Sequence, residues 1–382
     1  MTRIAADTLR HPLSALPFWL SLGTVPMALI GATQGGAWLG LVPLYTWGLY
    51  ALLDTVLGLN LDDADPETPE PDLFWYRLIT LIWAPVQIAL LMFLLWYVPR
   101  ADHLSILERI LAFFGQGVVA GTIGIVYAHE LFHQRNRLER WLGDLLLASV
   151  LYSHFRSEHL LVHHPYVGTP RDAVTARYGE GFPRAFLRVL RDCPGSAWAA
   201  EAALLRRKGK GPFNPGNPFW RYAALQLAML VLAYVLGGWA GLALFAYQAF
   251  IAIWQLELVN YVEHYGLTRR HLGEGRYEIV LPRHSWNAAH RASNWLLINL
   301  QRHSDHHWRP DRRFPLLQNY GSDEAPQLPW GYPVMTAAAM VPPLWRRLMN
   351  RRVRAWRRQF YPDITDWQPY NRGQTPLPKG AP

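Results

Sequence analysis

Histidine is the residue type whose placement most clearly indicates chemistry in this 382-residue chain. Nine of its 15 histidines fall into four short groups: His129 and His133; His159, His163 and His164; His264; and His303, His306 and His307. Spacings of three and four residues place side chains on one face of a helix, so two imidazoles can reach one metal ion. Adjacent histidines can direct one ring to each of two ions. Because imidazole suits Fe, Zn, Cu and Ni, the pattern predicts a metal site but leaves the metal open.

Carboxylates accompany these histidines. Four of them are sequence neighbours of a clustered histidine, namely Glu130, Glu158, Glu263 and Asp305. A histidine that binds a metal usually donates its second N–H to a carboxylate or carbonyl group, and we expect that role here rather than direct ligation. Glu257 lies inside an apolar segment, seven residues before His264. A carboxylate there is costly, so we expect it to hydrogen-bond a ligand or relay protons, unless it only reaches the membrane edge.

Six apolar segments provide the elements that must position these groups. About 20 apolar residues span a bilayer as a helix, and the candidates are residues 16–33, 37–59, 78–98, 107–127, 222–238 and 240–259. Short glycine-containing turns at residues 34–36 and 237–238 join two of the pairs. The predicted fold is therefore an all-α integral membrane protein with six transmembrane helices in three hairpins and a cytoplasmic, histidine-rich cap.

The distribution of positive charge orients these helices. Most of the 37 Lys and Arg residues lie in residues 129–221 and 264–382, and positive loops stay in the cytoplasm. The chain then divides into helices 1–4 (residues 1–128), a cytoplasmic segment with the first two histidine groups (129–221), helices 5 and 6 (222–263), and a second cytoplasmic segment with the last two groups and a basic tail (264–382). Both termini and all four histidine groups are thus predicted at the cytoplasmic membrane surface.

Composition excludes some functions. The net charge is +9, but no zinc finger, RNP motif or basic stripe with interleaved aromatics supports nucleic-acid binding. The single cysteine, Cys193, cannot hold an iron–sulfur cluster, which takes about four ligands. Residues 345–359 (WRRLMNRRVRAWRRQ) predict a basic, Trp-bearing helix. That helix could lie on anionic lipid, dock an acidic electron carrier or simply face solvent.

Several stretches resemble the membrane alkane monooxygenases, also called alkane ω-hydroxylases, and the related xylene monooxygenases. The closest are residues 260–267 (NYVEHYGL) and 300–307 (LQRHSDHH). Residues 158–164 (EHLLVHH), the turn GTPRD at 168–172 and HSWN at 284–287 are also similar, so the resemblance runs from about residue 37 to residue 333. The first histidine box departs from the family pattern, because Phe132 replaces a small residue near the metal, which bears on the substrate range.

The resemblance implies a non-haem di-iron centre held by all nine clustered histidines. It also implies dioxygen as the oxidant, and electrons passed from NAD(P)H through a reductase and a rubredoxin or ferredoxin. The implied reaction is hydroxylation of a medium-chain n-alkane to a 1-alkanol by an inner-membrane enzyme. An unactivated methyl C–H bond offers nothing to acid–base side chains, so the metal must do the oxidation while the protein binds and orients the substrate.

The hydrophobic substrate is expected to enter from the bilayer and to lie in a slot among the helices. Thr46, Trp47 and Tyr50 on the second helix are candidates for limiting its length, with ordinary helix packing as the alternative. The remaining histidines of the cap are expected to pack or to support the ligands: His154, His271, His290 and His284, the last being the strongest candidate for a further role.

Other functions stay open at this point. A methyl-arene monooxygenase and a fatty-acid desaturase or hydroxylase have a similar histidine-rich site. Residues 129–133 also fit the zinc-protease motif H-E-x-x-H, although that reading leaves seven clustered histidines unexplained. Soluble di-iron proteins use paired Glu-x-x-His motifs, and only Glu130 and His133 have that spacing near a group. A metal transporter or sensor predicts ligands at mid-membrane rather than at one surface.

Overall fold

Long apolar helices form the body of the protein. The computed structural model describes residues 3–4 and 6–375. Within them, five helices are long and apolar enough to cross a membrane: Pro12–Gln34, Gly36–Leu57, Glu70–Arg100, Ile106–His133 and Pro218–His264. The chain is therefore mostly helical and of the integral-membrane type, as its sequence predicts.

The last long helix, Pro218–His264, consists of two arms. Gly238 has φ +61° and ψ −153°, which is not helical, and a Cβ placed on Gly241 would lie 2.7 Å from the carbonyl oxygen of Ala233. In a continuous helix, eight residues would rise about 12 Å. The chain therefore folds back at Gly238, where the sequence predicts the turn between the fifth and sixth apolar segments. Gly35 and Gly36, both with positive φ, form the corresponding turn between the first two helices.

The helices run further than the apolar segments suggest. The fourth continues to His133 rather than ending at residue 127, and the second arm of the fifth continues to His264 rather than ending at residue 259. His129, His133 and His264 thus lie on the helices instead of following them. A search for apolar runs ends each predicted helix at its first ionisable residue. The backbone nevertheless stays helical beyond that point, because the ionisable side chains are buried in the protein.

Glycines bring the fourth helix close to the second arm of the fifth. A Cβ on Gly117 would lie 2.7 Å from Cβ of Ile251, and one on Gly121 would lie 2.9 Å from Cα of Ala252. A Gly-x-x-x-Gly spacing is typical of close helix contacts in membranes, where small residues let two backbones approach. This contact fixes the helix that carries His129 relative to the arm that carries His264.

Shorter elements build the cap around the helix ends. The remaining α-helices are Ala6–Arg10, Arg137–Ala148, Phe155–Glu158, His164–Tyr166, Phe182–Arg207, Arg291–Leu296, His303–Trp308, Tyr332–Ala339, Pro342–Phe360 and Gln368–Arg372. Three segments are π-helical, namely Leu44–Leu49, Ala120–Gly124 and His159–His163. Two small sheets complete the described part: β1 (Arg3–Ile4) pairs with β2 (Asp63–Ala64) in parallel, and β3 (His271–Gly273) pairs with β4 (Arg276–Tyr277) antiparallel.

The basic tail forms the predicted helix, Pro342–Phe360. Its apolar face is buried, and the Trp345 ring packs 5.4 Å from the ring of Tyr265, the residue after His264. Val353 lies against Gly266, where an added Cβ would come within 2.9 Å of it. The tail helix therefore supports the end of the arm that carries His264, while most of its arginines remain in solvent.

Candidate metal centre

The structure brings all nine predicted histidines together in two neighbouring groups. A group of five consists of His129, His133, His159, His164 and His306. A group of four consists of His163, His264, His303 and His307. Within each group, one nitrogen from every ring lies within 4.8 Å of the others. Side chains from four distant stretches of sequence thus converge on two points.

The nitrogen spacing matches that of metal ligands. In the group of five, Nε2 of His159 lies 2.8 Å from Nε2 of His129 and 2.9 Å from Nε2 of His164. In the group of four, Nε2 of His264 lies 3.1 Å from Nε2 of both His163 and His303. Two nitrogens bound to one ion at about 2.1 Å with ordinary angles are about 3.0–3.4 Å apart. The donors are therefore close to the separation that a shared ion requires.

A π-helical turn decides which histidine joins which group. His159–His163 is π-helical, so residues five apart share a face. His159 is thereby grouped with His164, and His163 points to the other group. An α-helical turn would place His159 and His163, which are four residues apart, on one face, whereas the π-helical turn directs them to different groups. The expectation for adjacent pairs holds: His163 and His164 separate, and so do His306 and His307.

Burial keeps the rings in the form that binds metals. In the cap, burial and then the neighbouring histidines lower the pKa well below the usual value for five of them: His159, His164, His303, His306 and His307. Neutral imidazole is the ligand form of histidine. Two sets of imidazole nitrogen donors fit two borderline metal ions such as iron or zinc.

One supporting carboxylate escaped the sequence analysis. Oδ2 of Asp172 lies 3.0 Å from Nδ1 of His163 and also accepts hydrogen bonds from the backbone and hydroxyl of Thr175. Asp172 therefore fixes the ring so that Nε2 faces the group of four. Asp172 belongs to the GTPRD turn, but it lies nine residues from His163, so sequence adjacency to a histidine does not identify it.

Replacing Asp172 tests this support. We expect Asp172→Asn to lower the iron affinity or the activity by about 10–100-fold, which is the usual effect of losing a carboxylate behind a metal-bound histidine. Metal analysis of the purified variant and turnover at saturating iron would measure the two effects. Asp192→Asn, at an exposed carboxylate paired with Arg191, is the matched control. An Asp172 variant indistinguishable from this control would remove the assigned role.

Glu263 lies closer to the centre than expected. Its Oε2 is 3.2 Å from Nε2 of His303, and its Oε1 accepts a hydrogen bond of 2.8 Å from the hydroxyl of Tyr332. Nε2 is the nitrogen that His303 turns toward its group. The carboxylate therefore stands on the metal side of the ring, not behind it, and the expected support of an outer nitrogen does not apply to it.

The other predicted carboxylates bond elsewhere in the described chain. Glu257 accepts from the Tyr152 hydroxyl at 2.9 Å and from Asn260, not from His264. Asp305 accepts from the hydroxyl of Tyr320 and from Arg312. Their hydrogen bonds therefore do not support a ligand histidine.

Glu130 and Glu158 are buried beside the centre with different surroundings. Glu130 accepts from Gln134 at 3.1 Å. Burial raises the pKa of Glu158 well above its usual value, and its Oε1 has no hydrogen-bond partner among the described residues. The catalytic roles suggested for them, as for Glu257 and Asp305, stay predictions.

The remaining histidines of the cap lie outside both groups. His284, the strongest further candidate, accepts a hydrogen bond at Nδ1 from the backbone of Leu281, and its Nε2 lies 2.8 Å from the hydroxyl of Tyr361. It therefore ties the cap to the segment after the tail helix. His154, His271 and His290 also stand apart from the nine.

An apolar cavity of about 130 Å³ lies among the long helices near the metal centre, although none of the nine histidines lines it. Thr46 and Trp47 line it, together with the helix Tyr332–Ala339 and the second arm of Pro218–His264. Tyr50 does not line it; its buried ring packs against Tyr45. Tyr332 connects cavity and centre through its hydrogen bond to Glu263. Two of the three residues suggested for the substrate slot therefore line a cavity that also contains Tyr332, the hydrogen-bond partner of Glu263.

Phe132 lies against the histidine rings, as its position in the first box predicts. Its ring centroid is 5.4 Å from that of His129 and 5.6 Å from that of His159. His133, whose ring lies 5.1 Å from that of Phe132, forms part of the wall of an open polar cleft lined by Gln134, Arg135 and Arg309, among others. The group of five is thus apolar toward Phe132 and reaches the aqueous surface at His133.

Comparison with known proteins gives consistent matches over most of the chain. The family described as fatty acid desaturase matches residues 108–339. Alkane 1-monooxygenase 2 of Pseudomonas aeruginosa is 38% identical over 359 residues, covering 92% of each chain. Alkane 1-monooxygenase 2 of Alcanivorax borkumensis is 36% identical and covers 89% of this chain and 90% of its own. The xylene/toluene monooxygenase hydroxylase component of Pseudomonas putida is 30% identical, covering 93% and 91%.

Proposed function

We propose, on the premise that this chain belongs to the alkane 1-monooxygenase family, that it hydroxylates the terminal methyl group of medium-chain n-alkanes with dioxygen. The observation that carries the proposal is that two groups of histidine donors lie close to one apolar cavity, whose wall residue Tyr332 hydrogen-bonds Glu263 at the centre. An alkane has no polar group for the protein to recognise, so it needs an apolar cavity. Its C–H bonds are not acidic, so their oxidation needs a metal centre.

The nine histidines would hold two iron ions, one in the group of five and one in the group of four. Bound iron supplies the dioxygen and electron-transfer chemistry that no side chain provides. Asp172 orients His163, and Tyr332 holds one oxygen of Glu263 so that the other stays beside His303. The chain itself therefore sets the ring orientations and places one carboxylate at the centre.

The cavity would bind the alkane and exclude water. Burying one methylene contributes about 0.8 kcal/mol. An apolar slot therefore binds a longer alkane more tightly, until the alkane is as long as the slot. Leu300, three residues before His303, and Val126, three before His129, both line the cavity. The methyl end of a bound alkane would therefore lie near the histidines, while Thr46 and Trp47 limit its length.

The arrangement in the membrane and the electron supply belong to the same proposal. Six crossings, with the two arms of Pro218–His264 counted separately, put residues 129–221 and 264–382 in the cytoplasm of a bacterium, against its inner membrane. The glycine turn at Gly238 supports that count. Electrons would come from a rubredoxin or ferredoxin and its NAD(P)H reductase, and the open cleft beside His133 offers such a carrier access to the group of five.

A product assay tests the proposed reaction. Membranes containing the chain, supplied with rubredoxin, its reductase, NADH and ¹⁸O₂, would be offered octane, hexadecane and p-xylene. We expect 1-octanol carrying one labelled oxygen, formed only when NADH is present. Formation of an alkene would indicate a desaturase, and absence of all products with a competent electron supply would contradict the proposal.

Methyl-arene hydroxylation is the second candidate, because the xylene/toluene monooxygenase component matches almost the whole chain. The same assay separates the two. Faster conversion of p-xylene than of octane, with oxygen on the methyl carbon, would favour the arene reaction over the alkane reaction.

A further inference from the structure

A cationic loop lies immediately before the fifth long helix. The helix Phe182–Arg207 ends in a run of positive charge, and Pro218–His264 begins eleven residues after Arg207. Arg206, Arg207, Lys208 and Lys210 are all exposed. Among the described residues, no carboxylate forms an ion pair with any of the four, so their charge is available to a partner.

The backbone holds these cations in a defined arrangement. Gly209 has φ +68°, and the amides of Gly209 and Lys210 donate to the carbonyls of Arg206 and Leu205, respectively. This pair of bonds is the Schellman motif, in which a left-handed residue closes the end of a helix. Asn217 then donates to the carbonyl of Pro212 and caps the next helix by accepting from Phe219 N. The loop is therefore an ordered turn rather than a loose linker.

Exposed aromatic rings lie in this loop and at the start of the helix that follows it, Pro218–His264. Phe213 is 70% exposed and Trp220 is 49% exposed, and Trp141 on a neighbouring helix is 52% exposed. The guanidinium of Arg221 lies 5.3 Å from the ring of Trp141 and pairs with Asp144, which joins the two helices. Amphipathic aromatic rings at the end of an apolar helix are typical of the membrane–water interface.

We infer that residues 206–210, with Phe213 and Trp220, form a binding site for the headgroups of anionic phospholipids. A cluster of Lys and Arg directly beside a membrane helix attracts anionic headgroups, while the aromatic rings insert at the boundary with the acyl chains. Continuity with the lipid-facing surface of Pro218–His264 favours a bilayer over an acidic soluble protein, which has no use for exposed apolar rings at this level. The site lies outside the metal centre and does not depend on the proposed reaction.

Lipid titration of the purified protein tests the site. The full chain in detergent is titrated with a short-chain phosphatidylglycerol, a phosphatidylcholine of the same chain length, or inorganic phosphate, and the unfolding temperature gives an apparent Kd. The test variant combines Arg207→Gln, Lys208→Gln and Lys210→Gln. The control combines Arg347→Gln, Arg351→Gln and Arg358→Gln, which removes the same charge from the exposed face of the tail helix.

We expect the wild-type chain to prefer phosphatidylglycerol. The loop variant should bind it about a hundred-fold more weakly, because each cation near an anionic surface raises the binding affinity about five-fold. The control should bind like the wild type. Equal weakening in both variants, or equal stabilisation by inorganic phosphate, would overturn the inference. So would unchanged lipid binding by the loop variant accompanied by a raised KM for the electron-donor protein, since that result identifies a protein-docking surface.

Discussion

His264→Ala is expected to abolish alkane hydroxylation and to remove one of two iron ions from the purified protein. Nε2 of His264 lies 3.1 Å from Nε2 of two other members of the group of four, so it is central to that group. The loss should exceed the about 10–100-fold effect of disturbing a residue behind a ligand. Metal analysis of the variant and the product assay with octane measure the two consequences separately.

A histidine outside both groups provides the control. The ring of His271, in the strand β3, accepts a hydrogen bond from the backbone of Gly275 and packs against Tyr277, outside both groups, so His271→Ala should keep both ions and the activity. The unfolding temperature of the two variants shows whether either effect is a folding defect. If His264→Ala retained full iron content and turnover, the group of four could not be the site of a catalytic ion.

Thr46→Phe is expected to shorten the longest alkane that the enzyme accepts. Thr46 is fully buried and lines the apolar cavity, so a larger side chain takes up space that the end of the substrate needs. Each methylene that no longer fits forfeits about 0.8 kcal/mol of binding, or about four-fold in affinity. Competition among alkanes of increasing length, with the 1-alkanols quantified together, gives the cut-off directly.

The matched control is Tyr50→Phe, four residues further along the same helix. Its ring is buried but stands outside the cavity, so removing the hydroxyl should leave the order of preference unchanged. An identical product profile in Thr46→Phe and the wild type would show that substrates do not occupy this cavity. A shift in both variants would show that helix packing, not the cavity wall, controls the length.

The histidine site is the part of the molecule that sequence predicts best. Metal binding requires particular residue types, and their spacing survives in the sequence whatever the fold around them. The partition of the ligands could not be predicted, because the π-helical turn at His159–His163 has no local signature that distinguishes it from an α-helix. Its effect is to change the partner of His159 from His163 to His164.

The supporting groups are less visible in the sequence. Asp172 reaches His163 through a turn nine residues away, and Glu263 meets His303 across the cap. Such contacts depend on tertiary packing. Sequence adjacency to a histidine therefore identified Glu263 without its contact to His303, and it also selected Asp305, whose hydrogen bonds go to Tyr320 and Arg312.

The sequence predicts the approximate positions of the apolar segments and a slot beside Thr46 and Trp47, but not the short helix that completes the cavity. Hydropathy identifies apolar segments of span length, and the glycine turn at Gly238 lies where it indicates. The helix Tyr332–Ala339 is too short to give such a signal and falls in the segment assigned to the cap. It nevertheless lines the cavity together with Thr46 and Trp47, because its small apolar side chains fit between the long helices.

The metal content and coordination of the isolated chain show whether the nine histidines hold two iron ions. Elemental analysis combined with X-ray absorption at the iron edge should find two iron ions per chain, bound by nitrogen at about 2.1 Å without sulfur ligands. Zinc in place of iron, or a protein that folds normally and binds no metal when supplied with ferrous iron, would contradict a di-iron oxygenase built on these nine histidines.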